Sequence, residues 1–232
     1  MIINVLRSEE RGKSNTGWLH SCHSFSFGEY DNPQQMGFRS LRVINEDLVA
    51  PGMGFPTHPH RSMEILSYIV EGALAHKDDM GNESRLGAGQ FQYMSAGDGV
   101  RHSEYNPSDS HPVHFLQIWI EPREKGGEPR YKDLDLASAE SSSLKLLASP
   151  DGENGSAEIR QNAQVFYGRS LANEPITIPK DGRYPYAWIQ LITGELKLGA
   201  VTLFTGDGAA MEGETFEVVA SKETSFLFFK LA

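Results

Sequence analysis

The chain has 232 residues, of which 39% are hydrophobic and 22% charged, and 31 acidic against 21 basic side chains give a formal charge of −10. This length accommodates one large β unit or two small domains. An acidic surface disfavours direct nucleic-acid contact, no apolar run approaches the ~20 residues of a membrane span, and the partner expected is a small molecule.

From the N-terminus, residues 1–13 carry Arg7, Glu9, Glu10 and Arg11 and do not read as a signal peptide. The single cysteine, Cys22, excludes an internal disulfide and fits a reducing compartment, so a cytoplasmic location is expected. Residues 41–44, 64–70, 91–94 and 114–120 are short and rich in Val, Ile, Leu, Phe and Tyr. Turn residues bound them at Glu71-Gly72, Met80-Gly81-Asn82, Gly87-Ala88-Gly89 and Asn106-Pro107. Strands at this spacing indicate an all-β sandwich or barrel. The polar stretch between Pro122 and Pro129 reads as a boundary, followed over residues 131–150 by a connection with at most short elements.

The second half repeats the first weakly. EILSYIVEGAL at 64–74 resembles YAWIQLITGEL at 186–196, Gly89 and Met94 match Gly206 and Met211, and residues 115–120 are echoed at 226–231. Two similar barrels are therefore expected. All eight histidines lie at or before His114, and His58 and His60 fall opposite Lys180 and Gly182. The second barrel is expected to keep the shape without the ligands.

Two clusters carry chemistry: His58-Pro-His60 with Glu64 downstream, and His102-Ser-Glu104 after Gly97 and Gly99. Residues i and i+2 of a strand share a face, so each cluster presents two donors on one side. Pro59 cannot donate to a ladder, which puts its strand at an edge or makes it irregular. If the two strands face each other across a barrel interior, three nitrogens and one carboxylate converge. Such a set suits iron, nickel, cobalt, copper, manganese or zinc. Glu64 shares the phase of His58 and His60 and competes with Glu104, which ranks first because it lies on the face of His102. His76, before Lys-Asp-Asp, is expected to be solvated; His114 to be buried and hydrogen-bonded; His111 to sit in a polar loop. His20, Cys22 and His23 lie among Trp18, Leu19, Phe25 and Phe27, which reads as core packing rather than a second metal site.

The clusters resemble the two cupin motifs: Gly52-x5-His58-x-His60-x3-Glu64, with Gly72 one residue late, and Gly99-x2-His102-x3-Asn106. The wider segments MGFRSLRVIN (36–45), FPTHPHR (55–61) and SAGDGVRHSE (95–104) closely resemble the pirin family, strongly over residues 15–125 and more weakly to the C-terminus. That resemblance implies a bicupin of two double-stranded β-helix (jelly-roll) barrels. Residues 1–130 would form the metal-binding cupin, and residues 131–232 a cupin-like domain lacking ligands. It also implies one metal, iron first, held by His58, His60, His102 and Glu104, with Glu64 not a ligand. Several bacterial pirins act as quercetin 2,3-dioxygenases, so the resemblance implies a flavonol substrate, O2 and release of carbon monoxide. Glu104 would then be both ligand and general base toward the substrate's 3-hydroxyl. Eukaryotic pirin implies the alternative: a non-catalytic, metal-dependent redox sensor that binds a protein partner in transcription. The same four ligands serve both.

Overall fold

Short apolar runs closed by glycine turns fold as strands throughout. The structure is a computed structural model that describes residues 2–136, 143–178, 181–212 and 215–232. Among these residues the only helical elements are two single 3-10 turns, Ser8–Glu10 and Glu153–Gly155, and no helix is long and apolar enough to cross a membrane.

The chain divides into two compact units, Gly12–Ala137 and Met1–Arg11 with Ser138–Ala232. In the first, a seven-stranded antiparallel sheet runs in the order Arg130–Asp135, Gln90–Ser95, Glu64–Glu71, Val113–Ile120, Leu41–Val49, Leu19–His23, Gly12–Asn15. Its companion is a four-stranded sheet in the order Gly54–His60, Val100–Tyr105, Ala73–Asp78, Glu83–Gly87. The second unit repeats the plan. Seven strands run Ile2–Leu6, Gly208–Glu212, Tyr186–Thr193, Thr224–Leu231, Ala163–Ser170, Ser143–Ser149, Ala157–Glu158. Four more run Pro175–Ile178, Phe216–Ala220, Glu195–Leu198, Val201–Phe204. Each unit is a jelly-roll barrel, and the chain is an all-β bicupin.

The internal repeat has a structural counterpart. Glu64–Glu71 and Tyr186–Thr193 hold the same place in their sheets, and each ends on a glycine with positive φ, 81° at Gly72 and 99° at Gly194. A Cβ at Gly194 would collide with Thr224, so the turn needs glycine for both space and conformation. Lys180, the residue matched to His58, lies outside the described residues.

The interiors differ. In the first barrel Ser67 pairs with Gln117, and both are buried. At the equivalent register of the second, Ile189 pairs with Phe228, inside an apolar core with Leu191, Leu196, Phe226 and Val218. One barrel keeps a polar interior row, while the other fills the same space with hydrocarbon.

Two boundaries depart from expectation. Ile2–Leu6 pairs with Gly208–Glu212 and belongs to the second unit, because edge-strand N–H and C=O groups find their ladder partners there. Arg130–Asp135 pairs with Gln90–Ser95 and extends the first unit past residue 130. The expected connection over residues 131–150 therefore holds most of the strand Arg130–Asp135 and the whole of a second, Ser143–Ser149. Residues 137–142 lie outside the described set.

Candidate metal centre

Gly54–His60 and Val100–Tyr105 do not face each other across the barrel. They are antiparallel neighbours in one sheet, with His58 directly opposite His102. The i, i+2 spacing defines a face and says nothing about the partner strand, which is why the expected arrangement differs. The pairing slips between His102, opposite His58, and Glu104, opposite Phe55. Three steps on one strand against two on the other make a bulge, a device that re-aims side chains near sites. Pro56 and Pro59 lack the N–H that a regular central ladder would use, and this strand is indeed the sheet's edge.

The result is a cluster of imidazoles. Ring centroids lie 4.5 Å apart for His58 and His102, 4.7 Å for His58 and His60, and 4.8 Å for His60 and His102. Nitrogens of the three rings lie within 4.8 Å of one another, and the Nε2 atoms of His58 and His102 are 3.1 Å apart. Nδ1 of His58 is 2.9 Å from the Pro56 carbonyl, which only accepts, so Nδ1 carries a proton and Nε2 is the atom turned toward His102. Burial, reinforced by His60 and His58, pushes His102 down to about 2, and burial with His58 pushes His60 down to about 4. His60 and His102, kept neutral at physiological pH by burial, bring their nitrogens together with those of His58. This donor chemistry fits a divalent transition metal.

Glu104 is buried beside this cluster. Its carboxylate crosses the interior to the seven-stranded sheet, where Gln117 Nε2 donates to Oε2 at 3.1 Å and Ser67 Oγ lies 3.4 Å from Oε1. Burial drives its carboxyl up to about 7; the Gln117 hydrogen bond works against the shift and the Asp47 charge with it. Glu104 shares a second close group with His102 and His76, donor atoms again within 4.8 Å, rather than a single group with His58 and His60. Glu64 is engaged elsewhere, accepting from Tyr93 Oη at 2.5 Å and Ser95 Oγ at 2.7 Å.

His76 is a correction. It is 1% exposed, not solvated, because Leu74, His76 and Asp78 alternate inward along Ala73–Asp78. That period was readable in the sequence beneath the charged Lys-Asp-Asp. Ser67 and Gln117 were also missed, although a lone serine within ILSYIV and a lone glutamine within FLQIWI break otherwise hydrophobic runs. His114 is half-buried with Nε2 2.9 Å from Glu46 Oε1, and His111 is exposed beside Ser110. His20 is exposed while His23 is buried on the opposite face of its strand, 2.8 Å from Asn45, so these two do not converge.

The cluster opens on a cavity of about 660 Å³. Phe27, Phe55 and Trp119 supply aromatic surface, Asn45 and Asp47 a polar wall, and His58, His60 and Glu104 also line it. Trp119 meets His60 edge-on at 5.1 Å. Fold and site together define a bicupin whose first barrel carries a histidine–carboxylate cluster at a ligand-sized cavity.

Comparison with known proteins narrows this further. Residues 5–120 match the family model described as Pirin, and residues 146–231 that described as Quercetinase C-terminal cupin domain. The chain is 41% identical to a protein of Escherichia coli K12 named quercetin 2,3-dioxygenase, covering 99% of each. It is 36% identical to a pirin-like protein of Caulobacter vibrioides, over 94% of each. The structure of the E. coli bacterial pirin YhhW in complex with nickel(II) superposes with a TM-score of 0.94 at 40% identity, covering 99% of both chains. This chain belongs to the pirin family.

Proposed function

We propose that the protein is a cupin dioxygenase in which His58, His60, His102 and Glu104 hold one divalent transition metal, iron foremost. Its substrates would be flavonols such as quercetin, opened with dioxygen and with release of carbon monoxide. The observation that carries this reading is the close group of His58, His60 and His102, with His58, His60 and the buried Glu104 lining a cavity of about 660 Å³, within the range of small-molecule sites. The name of the E. coli relative and the nickel in the YhhW complex support it.

The aromatic wall of Phe27, Phe55 and Trp119 takes the faces of a planar polyphenol and excludes water, while Asn45 and Asp47 meet its hydroxyls. Glu104 accepts the proton of the hydroxyl to be activated, and Gln117 and Ser67 hold the carboxylate in place for it. A metal in this donor set supplies Lewis acidity toward that hydroxyl and redox capacity toward dioxygen. The second barrel, its interior filled by Ile189 and Phe228, serves as scaffold. A cytoplasmic setting accompanies the proposal, since a chain whose single cysteine is Cys22 suits a reducing compartment.

The test is aerobic loss of quercetin absorbance with carbon monoxide detection, using metal-loaded wild type and His60→Ala. Turnover in wild type and its loss in the variant are expected. Metal-loaded wild type that releases no carbon monoxide would sink the flavonol reading.

A further inference from the structure

Outside the four proposed ligands, one buried chain of polar groups ends on the cluster. Asp78 Oδ1 accepts the backbone N–H groups of Met80 at 3.0 Å and Asn82 at 2.9 Å. Its Oδ2 accepts from Asn82 Nδ2 at 2.8 Å and lies 3.3 Å from His76 Nε2. His76 Nδ1 in turn lies 3.4 Å from His102 Nδ1, and the His76 ring stacks at a tilt on Tyr131, centroids 5.0 Å apart. The side chains of His76 and Asp78 are both fully shielded from solvent.

The proton positions follow from which atoms can only accept. A carboxylate oxygen accepts, so His76 carries its proton on Nε2, toward Asp78. Its Nδ1 is then a lone pair, and the only proton that can satisfy the contact with His102 is one on His102 Nδ1. That leaves His102 Nε2 unprotonated, facing His58 Nε2. We propose that Asp78 and His76 form a relay that sets His102 in the Nδ1–H tautomer, which makes both positioning residues of the metal centre. A carboxylate behind a metal-ligating histidine is a familiar orienting device; here it acts through a second imidazole. The inference rests on reading His102 as a ligand through Nε2.

The discriminating variant is Asp78→Asn, which keeps the side chain's size and shape and exchanges one oxygen for an NH2. Its orientation is dictated by the two backbone N–H groups at 2.9 and 3.0 Å, which require the side-chain oxygen. The amide NH2 therefore replaces Oδ2 and donates to His76 Nε2, with the Asn82 side-chain amide turned over so that its oxygen, not its NH2, meets the new donor. His76 must then carry its proton on Nδ1 and donate to His102 Nδ1, which displaces the His102 proton to Nε2, the metal-facing atom. The expected result is nickel(II) affinity reduced about 10–100-fold with an unchanged β-sheet circular dichroism spectrum. In nitrogen-15 spectra of the metal-free full-length protein, the His102 proton should sit on Nδ1 in wild type and on Nε2 in Asp78→Asn. Affinity within twofold of wild type together with an unmoved tautomer would overturn the relay. So would a wild-type spectrum with the proton on Nε2, which decides the matter even if the variant does not fold. Wild type that binds no nickel(II) at all would count against the ligand assignment, while the metal-free spectrum still decides the relay.

Discussion

Metal loading should displace a proton from Glu104, and the amount can be worked out. Burial holds this carboxyl up to about 7, whereas a ligand must be a carboxylate. At pH 6 the metal-free carboxyl is about 0.9 protonated and at pH 8 about 0.1, by ordinary titration from that midpoint. Its contribution therefore weakens apparent metal affinity about tenfold between pH 8 and pH 6, or roughly 1.4 kcal/mol. His60 at about 4 and His102 at about 2 are already deprotonated over this window and add nothing. Calorimetric titration with nickel(II) in buffers of different ionisation enthalpy counts the protons directly. Subtracting the count for Glu104→Gln isolates the carboxyl from every other group. A difference between wild type and variant that stays flat from pH 6 to 8 would refute both the raised carboxyl and its role as a ligand.

Two further outcomes follow from the same geometry. Because the folded-state pKa of Glu104 is raised from 4.5 to about 7, its ionisation works against folding: the cost is absent below pH 4.5, grows as pH rises, and is complete above 7. Glu104→Gln should therefore raise the thermal midpoint of the metal-free protein at pH 8, by up to roughly 3 kcal/mol of stability, and leave it nearly unchanged at pH 4.5; equal shifts at both would contradict the reasoning. At Gly54 a Cβ would collide with the Glu104 carbonyl oxygen and lie 2.6 Å from Tyr105 Cα. Gly54→Ala should thus push the His58 strand off the His102 strand, costing about 1–3 kcal/mol in chemical denaturation together with weaker nickel(II) binding.

The donor pairs were legible because each lies within one strand. His58 with His60 and His102 with Glu104 are two residues apart, and a strand's period of two is a local property. The duplication was legible for a similar reason: glycines at 72 and 194 mark turns that only certain backbones allow. His76 was misread because its charged neighbours Lys77 and Asp79 outweighed the inward phase it shares with Leu74 and Asp78. The domain edges were misplaced because Ile2–Leu6 finds its ladder partner some two hundred residues away, at Gly208–Glu212.

The amino-acid sequence alone therefore determined the all-β class and the two donor pairs, through periodicity and turn chemistry within a few residues, and the double barrel through the repeat of residues 64–74 at 186–196. Tertiary structure decided what no local pattern contains. Hydrogen bonding between distant strands set His58 opposite His102, and Ser67 and Gln117 arrived from the facing sheet to hold Glu104. Burial then made the imidazoles poor bases and the carboxyl a weak acid, since desolvation disfavours charge wherever the fold excludes water.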